Sequence, residues 1–255
     1  MLRNLYADTR SILINRSFRI GLAAVVAYQV LFFLIIWLIQ TVLLKEALRA
    51  EDIGFSFSMV AAFLVTGSAL YISGNEFSYG CIRNKVISGV GRTDIFLSAV
   101  CGGIFQGVMY SMLACVSSVA ATSLFTGGYM SYSIPEIAEY WIVITMTCAS
   151  IGAFSTALVI TFGGGKISYV IGFSIVFLMN IISARIVDKL YPNDGLCGLT
   201  GTKLTAYTFF DRFVPYSYFT ATPHYDMGSY AVGCAGLVLI STAIGLIVFK
   251  NKELR

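Results

Sequence analysis

Ile20-Gly-Leu-Ala-Ala-Val-Val-Ala-Tyr-Gln-Val-Leu-Phe-Phe-Leu-Ile-Ile-Trp-Leu-Ile-Gln-Thr-Val-Leu-Leu44 runs for 25 residues without one charged side chain. A hydrocarbon core of about 30 Å is crossed by about 20 helical residues, so this stretch spans a bilayer with some tilt. The preceding residues 1–19 are polar and basic, and the run is too long for the apolar core of a cleavable signal peptide. Outward from it, five more apolar runs follow at 53–74, 94–125, 140–162, 167–184 and 229–249. The run from Asp94 is longer than a bilayer needs at about 1.5 Å per residue, so it tilts or projects. Of the 255 residues, 57% are hydrophobic and 12% charged, and the mean hydropathy is +0.81. A soluble domain carries about 25% charged residues. A disordered chain, a nucleic-acid binder and a cytosolic enzyme do not fit. The expected fold is an all-α integral membrane protein, one transmembrane domain over residues 1–255 with six spans.

Lys and Arg in the connections set the orientation. With both termini inside, the inner segments hold eleven basic residues: Arg3, Arg10, Arg16, Arg19, Arg83, Lys85, Arg92, Lys166, Lys250, Lys252 and Arg255. The outer segments hold six, four of them in the long connection 185–228, which weighs little in this rule. The expected location is the cell membrane, multi-pass, with cytoplasmic N- and C-termini. All four prolines then fall outside, and no span is broken in the manner of an ion-coupled carrier. Every Asp, Glu, Lys and Arg fits a connection or a helix end, whereas proton- and ion-driven carriers usually need an ionisable group at membrane depth. Small residues at four-residue spacing (Gly103/Gly107, Ala149/Ala153, Ser241/Gly245) mark positions of close helix packing.

Three connecting segments carry more than topology. In residues 1–18, Leu2, Leu5, Tyr6, Thr9, Ile12, Leu13 and Arg16 recur at helical spacing, with Arg3, Asp8 and Arg10 elsewhere on the wheel. This predicts an amphipathic helix on the inner membrane surface. Residues 75–93 join the second and third runs. Ser73 and Glu76 have capping-box spacing, Gly89 and Gly91 are suitable stops, and Thr93-Asp94 can cap the next span. This predicts a short basic helix of about three turns between two spans. From Thr205 to Tyr230 there are nine aromatics and only Asp211, Arg212 and Asp226 as charges. A solvated loop does not expose that much aromatic surface. The stretch is expected in the outer headgroup region, or dipping inward and returning.

The pattern Glu76-x-x-x-Gly80-x-Ile82-Arg83-Asn84-Lys85, followed by Ser88-Gly89-Val90-x-Arg92-Thr93-x-Ile95-x-x-Ser98, resembles the first cytoplasmic loop of type-2 permeases of ATP-binding-cassette (ABC) exporters. The likeness in layout extends over nearly the whole chain. It includes an N-terminal surface helix, six spans, a long last external loop and the short tail Phe249-Lys-Asn-Lys-Glu-Leu254. The resemblance implies that segment 75–93 is a coupling helix docking in a groove of a separate ATPase subunit, with Glu76, Gly80, Arg83 and Arg92 as coupling residues. It also implies a re-entrant external segment before the last span, with Phe209, Phe210, Phe213, Tyr216 and Tyr218 at an external gate or along the substrate path. Implied partners are the ABC ATPase, a second permease subunit (identical or related), the lipid bilayer and an amphipathic or peptide substrate, with no nucleic acid. Small permeases of this kind often handle antimicrobial peptides.

Other chemistry is not encoded in recognisable form. Gly163-Gly-Gly-Lys166 ends like a phosphate-binding loop, but Ile160 stands where the first glycine belongs and Ile167 where Ser or Thr belongs. The chain is therefore expected to bind no cofactor itself, with ATP and Mg2+ on the partner ATPase, and not to be an enzyme. His224 is the only histidine, and the six cysteines form neither a CxxC pair nor a Cys/His cluster. Cys101, Cys115, Cys148 and Cys234 read as packing residues in spans, Cys81 lies in the basic segment and Cys197 in the long polar connection. The same topology also suits a non-transporting assembly or sensor protein, or an ion-coupled secondary transporter. The first predicts no ATPase partner and the second predicts transport in ATP-free vesicles.

Overall fold

The computed structural model describes the chain apart from residues 1, 46–47, 127–128, 130–131, 193–198, 220–224 and 252–255, and apart from the side chains at 2, 3 and 52. Cys197, Pro223, His224 and the end of the tail lie outside the described residues. In chain order the helices are α1 (Leu2–Ile14), α2 (Arg16–Trp37, continuing in wide π-helical turns over Leu38–Leu44), α3 (Ala50–Gly54), α4 (Ser58–Ser78), α5 (Cys81–Ile87), α6 (Arg92–Phe125), α7 (Ile134–Phe162), α8 (Lys166–Leu190), α9 (Thr202–Phe213) and α10 (Met227–Asn251), with a single 3-10 turn at Pro215–Ser217. No strand occurs among the described residues. Six helices (α2 with its extension, α4, α6, α7, α8 and α10) are long and apolar enough to cross a membrane. The chain is thus an all-helical protein of multi-pass membrane type. Chain direction puts α1, α5, the 163–165 turn and the end of α10 at one end of the bundle, the near end. It puts α3, the end of α6, the start of α7, α9 and the 3-10 turn at the far end.

The most buried of the six is α7, packed by α6, α10 and α4, while α2 is the least covered. The α6–α7 seam follows from composition. A Cβ on Gly107 would strike the Cys148 carbonyl, and one on Gly152 the Gly103 carbonyl, so both backbones approach as only glycine permits. Polar side chains pin the more exposed helices to this core. Gln29 on α2 donates to the Ala114 carbonyl at 3.0 Å and accepts from Ser117. Ser68 on α4 bonds Gln106 at 3.0 Å and Tyr110 at 2.6 Å, both on α6.

Several boundaries differ from the expected ones. The second span begins at Ser58 rather than 53, because Ala50–Phe57 folds as α3 and a turn, buried at the far end through Ile53, Phe55 and Phe57. It then runs through Ser78, so Ser73 and Glu76 sit inside α4 and do not open a new helix. The reversal comes at Gly80, whose φ of +70° only glycine adopts freely. The coupling segment is a seven-residue helix of two turns, not three. Its far stop at Gly89 is the expected one, but α6 starts at Arg92 with Gly91 as N-cap, so Thr93 and Asp94 lie in its first turn and do not cap it. The first, fourth and sixth spans begin at Arg16, Ile134 and Met227, earlier than the runs suggested, and the fifth extends to Leu190. Polar residues at these ends continue the helices because they sit where water or headgroups reach them. The 185–228 connection accordingly starts at Tyr191 and contains α9.

Candidate functional site

At the near end the site is built from α5. Gly80 and the Ser88-Gly89 stop hold this helix between α4 and α6 with almost no slack. Its single buried side chain, Ile82, inserts into a cluster of Ile95, Phe96 and Val100 from α6, Ala153, Ala157 and Ile160 from α7, and Phe249 from α10. One isoleucine therefore joins α5 to a buried cluster to which three spans contribute, worth about 1.5–3 kcal/mol of burial.

Charge fixes the second contact. The Lys85 ammonium lies 2.7 Å from Asp8 and 3.9 Å from Glu76. The other Asp8 oxygen accepts from the Ser98 hydroxyl at 2.7 Å. Asp8, expected on the outward polar side of α1, is instead buried, while Tyr6 and Leu13 are exposed. Tucked under Asp8, Ile12 meets α6 at Gly102. The surface helix is therefore docked on α6 and tied to α5, not lying free of the bundle. A carboxylate can be buried here because an ammonium and a hydroxyl both donate to it.

The four residues expected to couple do not share one environment. Arg83 is exposed on α5, with no ion pair among the described residues. Glu76 is half-buried and turned toward Lys85. Gly80 serves the backbone reversal; a Cβ there would meet nothing within 4 Å, so the positive φ alone asks for glycine. Arg92 reaches across to the last turn of α10 and donates to the Lys250 carbonyl at 2.8 Å and the Phe249 carbonyl at 3.5 Å. There it satisfies carbonyls that a helix end leaves open.

At the far end the five aromatic candidates do not form one site. Phe209 and Phe213 of α9, ring centroids 5.2 Å apart, line an apolar groove of about 470 Å³ with Val232, Leu237 and Ile240 of α10. Phe210 is half-buried, and its carbonyl accepts the Val214 amide that ends α9. Tyr218 is buried edge-to-face on Tyr230 at 4.6 Å and donates to the Arg212 carbonyl at 2.8 Å. Tyr216 faces the other way, toward α8. Between them sits Asp211, 4% exposed, whose Oδ2 accepts from Tyr225 at 2.9 Å and Tyr191 at 3.2 Å. Burial, and then its bonds to Tyr191 and Asp211, push the Tyr225 phenol up. Arg212 donates to Ser229 at 3.0 Å, stands 3.6 Å from Asp226, and stacks over the Phe213 and Tyr225 rings at 5.4 and 5.8 Å.

Asp8 and Ser98 stand in the sequence patterns without the contact that joins them, and Tyr191 and the α8 residues Asn180, Ser183 and Asp188 are not singled out there. The first three are joined by contacts distant along the chain, which leave no local pattern. The α8 trio had one: polar positions 180, 183 and 188 share a face of an otherwise apolar helix. No group of three or more His, Cys, Asp or Glu able to hold a metal occurs among the described residues. Set beside family models, curated proteins and solved structures, the chain matches none of them.

Proposed function

We propose that the chain is the membrane-spanning permease subunit of an ABC exporter. In this reading it pairs with an identical or related copy, and ATPase subunits dock against the near end, which faces the cytoplasm together with both termini. The observation that carries the reading is α5: a short basic helix, held between α4 and α6, with Ile82 in the buried cluster and Arg83 offered to solvent. An orientation signal alone needs neither the anchoring nor the two tight turns. Closure of the ATPase pair displaces α5. Gly80 and Gly89 pass that displacement to α4 and α6, and the Lys85–Asp8 pair carries α1 with it. This chain makes and breaks no covalent bond; ATP and Mg2+ belong to the partner. The segment from α9 to Phe219 forms the re-entrant outer cap. An amphipathic or hydrophobic substrate, such as an antimicrobial-type peptide, suits the aromatic far end, which offers few ion pairs.

The test is capture and efflux. The affinity-purified chain is expected to bring down an ATPase bearing nucleotide-binding motifs. Arg83→Glu is expected to lose that capture and substrate efflux without lowering the amount of folded protein. Capture without any ATPase, or efflux unaltered by Arg83→Glu, overturns the reading. So does labelling of the exposed Cys81 by an impermeant thiol reagent in intact cells, because that would place α5 outside.

A further inference from the structure

The far end holds a second feature that none of the aromatic candidates explains alone. Between the last turns of α8 and the 3-10 turn lies a cavity of about 310 Å³. Its polar lining is Asn180, Ser183, Asp188, Tyr216 and Ser217, and Phe219 lines it as well. Ala184 and Val187 supply an apolar wall.

The lining is rich in oxygen acceptors, and its one charged group is a carboxylate. Asn180 spends one amide N–H on the Val176 carbonyl at 2.9 Å, which leaves its carbonyl oxygen and a second N–H. Ser217 spends its proton on the Asp211 and Val214 carbonyls, both at 2.7 Å, which leaves its oxygen as an acceptor. Asp188 has no ion pair among the described residues, and an ionised carboxylate only accepts. Tyr216 is 4% exposed, yet its hydroxyl makes no hydrogen bond. A buried hydroxyl left unpaired costs about 1–3 kcal/mol, and this one is sealed behind the cavity wall rather than open to it. Burial pushes the Tyr216 phenol up, so it stays neutral at physiological pH.

No lysine or arginine lines the cavity. Positions 180, 183, 184, 187 and 188 form one face of α8, with Arg185 and Lys189 off it. The Lys189 ammonium is engaged 5.6 Å above the Tyr207 ring.

We propose that this cavity binds a primary ammonium group carried on a short apolar stem. An ammonium brings three donors and no acceptor, which suits a lining of oxygens whose one charge is negative. Asp188 supplies the charge-assisted bond, Asn180, Ser183 and Ser217 supply neutral oxygens, and Phe219 supplies an aromatic wall for a cation. Ala184 and Val187 take the stem. The volume exceeds what a bare alkali ion fills. Calling the ligand a substrate rests on the transport reading above; the binding itself does not.

The experiment uses the purified full chain in phosphatidylcholine nanodiscs without any ATPase, with octylammonium as probe and empty nanodiscs to subtract partitioning. Octylammonium is expected to bind saturably and octanol not to. Asp188→Asn is expected to weaken octylammonium about tenfold or more, and Ser183→Ala about threefold to tenfold, the ranges for a charge-assisted and a neutral hydrogen bond. Ser174→Ala, an exposed position on α8 outside the cavity, is expected to change nothing. Saturable octanol binding equal to that of octylammonium overturns the proposal, since the cavity would then read only apolar volume. Unchanged affinity in Asp188→Asn overturns it, and so does competitive displacement by millimolar Na+, which would make this a cation site. Failure here leaves the ATPase-capture result standing, and failure of capture leaves this site standing.

Discussion

The two ends of the bundle are closed by different chemistry. At the near end, connections are short, glycine-bounded and charged: Lys85 holds Asp8, and Arg92 holds the end of α10. At the far end, connections are long and aromatic, and the buried carboxylate Asp211 is satisfied by two tyrosine hydroxyls rather than by a cation. An ion pair with hydrogen-bond geometry fixes two elements at one distance. Aromatic and hydroxyl contacts exclude water and tolerate sliding. The difference teaches that the near end is held as one piece by directional charge contacts, whereas the far end is packed by rings and hydroxyls.

The harshest way to break that contrast is to attack what both ends share. Gly107→Leu forces a side chain into the Cys148 carbonyl. It is expected to cost about 3 kcal/mol or more and to remove the monodisperse peak in detergent size-exclusion, with both ends loosened together. Survival of one end's cysteine protection would show the ends to be independent. Next comes the ionic tie. Asp8→Ala leaves Lys85 and Ser98 without their shared acceptor and is expected to cost about 2 kcal/mol in thermal unfolding. A double-mutant cycle with Lys85→Met should show coupling of about 1 kcal/mol. No coupling would reduce α1 to a passenger on α6.

At the far end, Asp211→Asn keeps a carbonyl acceptor for Tyr191 and Tyr225 but loses the charge. A cost of about 1 kcal/mol is expected in the same assay, half that of the near-end change. An equal or larger cost would erase the distinction. The smallest effect is on pH. The Ser229 hydrogen bond, aided by Arg212, holds the Asp226 carboxyl below its ordinary value. A depressed folded value stabilises above the unfolded pKa of about 3.9 and fades as pH falls through the folded one. Wild type and Asp226→Asn should therefore differ above that point and converge below it on the acid limb of a melting series.

Much of the architecture was legible because lipid imposes it. A helix that must satisfy its own backbone announces itself as an uncharged run, and all six did. The stop at Gly89 was legible because a backbone reversal needs glycine; the reversal at Gly80 was not, since the new helix was expected to open at Ser73. The ends were not. Ser73 and Glu76 spaced themselves like a cap, yet α4 continued through them, because Lys85 folds back and gives Glu76 a partner the spacing cannot show. Asp8 misled for the same reason: its partners lie 77 and 90 residues away. Aromatic density marked the far end correctly as unlike a solvated loop, but composition does not say that Phe213 and Tyr216 turn to different neighbours.

The six crossings are unequal in length. The 34 residues of α6 measure about 51 Å, while the 21 of α4 measure about 32 Å, barely the thickness of the hydrocarbon. Host lipids with longer or shorter acyl chains strain α4 first, since the longer helix has ends to spare on both sides. Because α4 carries α5 across a single glycine, the thickness of the host membrane sets the resting height of that basic helix. The fatty-acid composition of the cell becomes an input to the protein alongside anything that docks on it.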